Sequence, residues 1–157
     1  MQEIFLSEMN EKEIPLIYEK LHLKYVEKYS KDRDGEMKEA YTQWYKFMLN
    51  SSHFLVYTVK NKKGEFIGTL KFQLEKRDAI VDIFLDKNFR GKKFSETILD
   101  MGISKILENH KIERFLAYII KENEVSRHLF QNLGFRYLKN SNYNGIRHML
   151  YVKKIAP

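Results

Sequence analysis

Apolar positions along this chain recur with two periods, and the switches between those periods mark out a series of short strands and helices. Glu3-Ile4-Phe5-Leu6 suits a short strand. Asn10 with Glu13 three residues later suits a capped helix running through Pro15 to about Leu23, and Pro15 requires that helix to begin close by. Residues 28–35 are polar and turn-prone and feed a second helix over 36–49, where Met37, Ala40, Tyr41, Trp44, Phe47 and Met48 follow a helical stripe.

Residues 53–59 and 65–74 are rich in β-branched and aromatic side chains, and Asn61-Lys62-Lys63-Gly64 between them has the composition of a hairpin turn with glycine at its left-handed position. A third strand is expected over 79–85, then a basic loop, then a helix over 94–108 whose Leu99, Gly102, Ile103 and Ile106 fall on one face that must cover a sheet. Residues 114–120 read as a buried strand. Asn123 then caps a helix carrying Val125, Leu129 and Leu133 that Gly134 ends, and residues 147–152 form a last strand. This order predicts a mixed α/β fold, a central sheet flanked by helices on both faces. No repeat or linker interrupts it, so 1–157 is read as a single domain.

Composition narrows the chemistry. A chain of 157 residues that is 43% hydrophobic can bury one core but is short for two ordinary domains. With no cysteine it has no disulfides, no Cys-ligated zinc and no cysteine nucleophile, which fits a reducing cytoplasm. The five histidines, His22, His53, His110, His128 and His148, lack zinc-ligand spacing, so no metal is expected and structural or surface roles are assigned to them. No apolar run reaches the length of a membrane span, and Met1-Gln2-Glu3-Ile4-Phe5-Leu6 lacks the sections of a signal peptide. A cytoplasmic, unprocessed protein is expected. The net charge of +7 favours a polyanionic partner, which nucleic acid, coenzyme phosphates or a nucleotide-linked substrate would each satisfy.

The informative stretch runs from Val81-Asp82-Ile83-Phe84-Leu85 through Asp86-Lys87-Asn88-Phe89-Arg90-Gly91-Lys92-Lys93 into Phe94-Ser95, a strand that turns through a basic loop directly into a helix. Unpaired N–H groups at a helix start point outward with the positive end of the helix dipole, so a pyrophosphate can be bound there mainly by main chain. Arg90, Lys92 and Lys93 add positive charge beside it, although three basic residues taken alone are more often a solvated loop.

Strand, then Phe89-Arg90-Gly91-Lys92, then helix resembles the acetyl-CoA pyrophosphate loop of the GNAT N-acetyltransferase superfamily. Arg90 matches the first position of that pattern, Lys93 stands where a glycine is usual, and Ser95 stands where Gly or Ala is usual. Serine is small enough for close cofactor approach, and lysine at 93 requires a backbone conformation open to side chains. Downstream, Asn123-Glu124-Val125-Ser126-Arg127-His128-Leu129-Phe130-Gln131-Asn132-Leu133-Gly134-Phe135 resembles the family's closing helix with its Gly-Phe ending.

The resemblance implies a mostly antiparallel mixed sheet, splayed between the strand ending at Leu85 and the strand starting near Arg114. It implies acetyl-CoA as cosubstrate, held by the backbone of Ile83 and Leu85, by Arg90, Gly91, Lys92, Lys93, Phe94 and Ser95, and by Asn123, which an ordinary helix cap would equally explain. Phe130 occupies the place of a frequent family tyrosine and can only pack against the cofactor. Tyr143, in the loop before the last strand, or a water would then be the acid that protonates the thiolate.

Amine acetylation needs a neutral amine, and an alkyl amine has a pKa of about 10.4, so a base or a desolvating site must remove its proton. Asp82 is the candidate base, directly or through water, with an edge carboxylate paired to a nearby Lys or Arg as the plainer alternative. Within the superfamily, Tyr41-Thr42-Gln43-Trp44-Tyr45-Lys46-Phe47-Met48-Leu49, the Phe89-Arg90-Gly91-Lys92 loop and Ser95-Glu96-Thr97-Ile98-Leu99 look like the bacterial amino-sugar nucleotide N-acetyltransferases. That implies a small amine acceptor such as a nucleotide-linked amino sugar; a homodimer is allowed for, and neither membrane nor nucleic acid is the expected partner. Trp44 and its aromatic neighbours are read as core, ahead of an acceptor pocket. The competing readings are a protein or peptide N-acetyltransferase and a non-catalytic CoA- or nucleic-acid-binding module.

Overall fold

The computed structural model describes residues 3–28 and 36–155. β1 (Ile4–Glu8) leads through one turn of 3-10 helix into α1 (Ile14–Lys28), and the Asn10–Glu13 capping box is formed, with Glu13 Oε1 accepting the Asn10 N–H at 3.1 Å. The expected polar loop over 28–35 lies outside the described residues apart from Lys28, which is helical. α2 (Glu36–Leu49), β2 (Phe54–Asn61), β3 (Phe66–Glu75) and β4 (Asp78–Leu85) follow, with Gly64 at φ +82° in the β2–β3 turn as its composition requires. α3 (Phe94–Asn109), β5 (Arg114–Ile119), α4 (Glu124–Asn132), β6 (Arg136–Tyr143) and β7 (Ile146–Lys154) complete the chain.

Among the described residues seven strands form one sheet in the order β1-β2-β3-β4-β5-β7-β6. Every adjacent pair is antiparallel except β4 and β5, which are parallel and pair only from Asp78↔Arg114 to Ile80↔Leu116. Beyond that point each strand keeps its other neighbour, β4 to Leu85 against Gly68 and β5 to Ile119 against Met149, while the two part from one another. At the closed end Arg114 donates from Nε and Nη2 to the two Asp78 carboxylate oxygens, at 3.0 and 2.7 Å. This bidentate pair pins the strands where the parallel ladder begins.

The larger core lies between the sheet and α3 and α4, where Ile98, Leu99, Ile103 and Ile106 cover Leu70, Phe72, Phe115 and Tyr151. Gly102 permits that approach, since a Cβ there would meet Leu70 Cδ2 at 2.1 Å. On the opposite face α1 and α2 bury Ile14, Ile17, Tyr45 and Met48 against Val56, Phe66 and Phe84.

Two expectations change. Trp44 and Phe47 are not core: they are 46% and 57% exposed and stack on each other at 5.5 Å, because the buried stripe of α2 runs through Tyr45 and Met48, one position further round the helix. The segment holding Tyr143 is not a loop but strand β6, an edge strand with scarcely a buried side chain and therefore without the apolar alternation that marks a half-buried strand. Asn144 and Gly145, at φ 52° and 77°, turn it tightly into β7.

Candidate active site

The parting of β4 and β5 opens a cleft at the centre of the sheet, and the loop after β4 carries its rim. Ile83 and Leu85 lie on the β4 edge of the cleft, half-buried against the core, and the Leu85 carbonyl accepts from Arg90 Nε at 3.0 Å. A short 3-10 turn (Lys87–Phe89) starts at Asp86, a buried carboxylate 3.8 Å from Lys20 Nζ of α1. Phe89 packs edge-on to Phe94 at 5.9 Å, and Lys92 Nζ lies 6.0 Å from the centre of the Phe89 ring. The two aromatics tether an exposed basic loop to the first residue of α3.

Gly91 and Lys93 both have positive φ, 76° and 62°. Lys93, at ψ 16°, is in the left-handed helical region that a side chain can occupy at a cost of about 1–2 kcal/mol, so the position usually given to glycine keeps a glycine-like backbone without being glycine-only. Lys93 is also the N-cap of α3 and makes no side-chain cap hydrogen bond, which leaves the first N–H groups of the helix, beginning at Phe94 and Ser95, available to an anion. Replacing Lys93 by glycine should therefore raise stability by about 0.5–1 kcal/mol, read from the midpoint of urea unfolding.

The α4 residues are partly spoken for. Asn123 Oδ1 caps α4 by accepting the Ser126 N–H at 3.1 Å. Phe130 is buried in the core, edge-on to Phe135 at 4.9 Å, whereas Val125 is 81% exposed. Asn132 Nδ2 donates to Glu96 Oε1 at 3.3 Å and links α4 to the first turn of α3.

On the sheet face that also carries α1 and α2, the cleft is flanked by groups of another kind. Asp82 sits directly opposite Lys71 on β3, 72% exposed, with its Oδ2 at 3.7 Å from Lys71 Nζ; the edge ion pair weighed for it is present. Across the cleft Tyr143 of β6 stacks on Tyr118 of β5 at 4.2 Å and 5° between planes, beside Ile80, Leu116, Leu150 and Val152. His148 of β7 meets both rings edge to face, at 5.7 Å from Tyr143 and 6.4 Å from Tyr118. Burial first, then the charge of Asp82, Tyr118 and Glu75, raises the Tyr143 hydroxyl above its ordinary range, and burial with Glu75 and Asp78 does the same for Tyr118. Both phenols stay protonated through the neutral range. The structure thus brings Asp82 and Tyr143 into electrostatic range of one another. Tyr118 and His148 were missed in the sequence, the first hidden in an apolar strand and the second set aside for lack of ligand spacing.

Tyr57, Tyr118 and Tyr143 all have raised values, burial being the largest cause in each. Free tyrosine ionises near about 10, so the unfolded chain gives up these protons first. Their stabilisation is present in full below about pH 10 and is lost as pH rises through the higher folded values. Melting temperature should hold up to about pH 10 and fall above it, and fall less steeply in Tyr143→Phe.

Surface hollows of about 540 Å³, between β1 and α3 beside Phe5 and Met101, and about 230 Å³, beside Met9 and Phe54, both lie away from the cleft. Among the described residues no group of His, Asp and Glu could hold a metal ion, and no helix is long and apolar enough to cross a membrane.

The sheet thus parts at its centre above a basic turn and a helix start without a side-chain cap, where main-chain N–H groups can receive phosphate oxygens. Residues 15–135 match the model of the acetyltransferase (GNAT) family, and the chain belongs to that family of acetyl-CoA-dependent N-acetyltransferases. No curated protein sequence is significantly similar. Among solved structures, spermidine N-acetyltransferase from Vibrio cholerae in complex with CoA and spermine aligns with a TM-score of 0.77 at 15% identity, over 95% of this chain and 92% of that one. A dodecameric structure of that enzyme gives 0.77 at 13%, over 96% and 93%, and an uncharacterised protein from Bacillus halodurans 0.82 at 12%, over 98% and 84%. At such identities the likeness is one of fold.

Proposed function

We propose that this protein acetylates a primary amine of a small cationic molecule, with acetyl-CoA bound along the β4–β5 cleft and its pyrophosphate at the start of α3. The observation that carries the acceptor class is the Asp82 carboxylate facing the stacked Tyr118–Tyr143 pair across the cleft, since carboxylates and aromatic faces both attract ammonium groups. The polyamine ligand of the Vibrio cholerae relative supports the same class. A nucleotide-linked amino sugar is the second reading, favoured by Lys71, the half-buried cation beside Asp82 that a diphosphate could engage.

In this reading Arg90, Gly91, Lys92, Lys93, Phe94 and Ser95 hold the phosphates, Ile83 and Leu85 the pantetheine and Asn123 its far side, while Phe130, buried against Phe135, supports α4 from within the core, and Asp82 draws the ammonium in. Once the ammonium has given up one proton, which leaves to solvent, the amine nitrogen forms its C–N bond to the acetyl carbon as the C–S bond breaks, the C–S electron pair leaves with sulfur, and Tyr143 gives that sulfur a proton which it regains from the new amide nitrogen. Thiol release with acetyl-CoA against spermidine, a nucleotide-linked amino sugar and a lysine peptide tests it. Turnover confined to the peptide overturns the small-molecule reading, and turnover of the amino sugar alone decides for the second. The dodecameric relative and the exposed β6 edge support self-association of this chain as well, which a monomer mass in light scattering would overturn.

A further inference from the structure

His148 is held in a defined state. Its Nδ1 lies 2.7 Å from the Ile146 carbonyl oxygen, and a carbonyl can only accept, so Nδ1 carries the hydrogen. In the neutral ring Nε2 is then the lone-pair nitrogen. The ring is half-buried and wedged against the Tyr118–Tyr143 stack, two residues before Leu150 on the sheet face that also carries Ile80 and Asp82, with β5 between it and the β4 edge of the cleft. Ser141 of β6 stands opposite it in register. The titratable and charged groups around it are Tyr118 from β5, Tyr143 from β6 and, acting on those phenols, Asp82, Asp78, Glu75 and Arg114. Asp82, the other candidate proton acceptor, is engaged with Lys71.

Resting on the N-acetyl-transfer reading above, we infer that His148 is the proton acceptor for the acceptor amine, its Nε2 taking one proton from the ammonium, directly or through one water, before the nitrogen attacks the acetyl carbon. Asp82 then holds the ammonium without accepting its proton. The proton taken by Nε2 passes to solvent after each turnover, while the second nitrogen proton follows the Tyr143 route to sulfur, so that one ammonium and one thioester give one amide, one thiol and one released proton. The two aromatic rings fix the imidazole plane, and the Ile146 carbonyl fixes its tautomer.

The test is the pH dependence of kcat/KM for His148→Asn and for His148→Gln, with acetyl-CoA and whichever of spermidine and the amino-sugar nucleotide the unmodified protein acetylates. Both variants should bind acetyl-CoA as the unmodified protein does and lose about 100-fold in kcat/KM at pH 7. That deficit should shrink several-fold as the pH approaches the amine's own pKa, where the substrate arrives already neutral. Two variants guard against one that does not fold, which melting curves would reveal. A deficit equal at all pH values, or a loss confined to KM, overturns the assignment and makes His148 a packing residue. Absence of turnover in the unmodified protein overturns the transfer reading, and this assignment with it.

Discussion

Ser95→Trp is expected to weaken acetyl-CoA binding at least 100-fold while changing the stability of the fold by no more than about 1 kcal/mol. Ser95 is the second residue of α3, half-buried, at a helix start to which the Lys93 side chain gives no cap hydrogen bond. A small side chain there allows phosphate oxygens to reach the backbone, and an indole fills the same approach. Because the site is a helix start beside an exposed loop and not core, the indole has solvent to occupy and the fold survives. Calorimetric titration with acetyl-CoA beside a thermal melt separates the two effects: lost affinity with an intact melt is the expected result, and unchanged affinity removes the α3 start from the binding site.

Gly68→Ala should act in the opposite way, through the fold first. Gly68 follows Ile67, the extra residue of a bulge opposite Val59 and Lys60, and faces Leu85 at the end of β4. A Cβ at Gly68 would stand 2.1 Å from the Phe84 carbonyl oxygen and 3.2 Å from Leu85 Cα, both backbone atoms without a rotamer to yield. The expected cost is about 3 kcal/mol or more, at the upper end for overpacking, read from the urea midpoint. The strand that must move is the one that leads into the cofactor loop, so the fraction that still folds should bind acetyl-CoA about tenfold more weakly, on the order of 1.4 kcal/mol. A neutral effect on both readouts would mean that the end of β4 is free to shift and does not position the loop.

Much of this arrangement could be read from the sequence because it is local. Leu99, Gly102, Ile103 and Ile106 repeat at helical spacing and are the residues that α3 buries; Asn10 and Glu13 form the box their spacing predicts; the β4–loop–α3 passage is continuous in the chain. What could not be read depends on partners far apart in sequence. The cleft exists because the ladder between Asp78–Ile80 and Arg114–Leu116 stops after three residue pairs, and no pattern within either strand records where a partner ends. β6 escaped notice because both its faces are largely wet, although Asn144-Gly145 is a strong hairpin signal that could have revealed it. Spacing alone points Trp44 to the core, whereas the buried stripe of α2 runs through Tyr45 and Met48. His148 becomes visible as a chemical group only when β5, β6 and β7 bring Tyr118, Tyr143 and the Ile146 carbonyl around it.

The central claim is that the β4–α3 loop and the cleft beside it bind acetyl-CoA. Calorimetric titration of the unmodified protein with acetyl-CoA, repeated at two salt concentrations, tests it most directly. The account predicts saturable binding at one site per chain that weakens as salt screens the basic loop; the absence of saturable binding, or binding that survives both Ser95→Trp and Arg90→Ala unchanged, would contradict it.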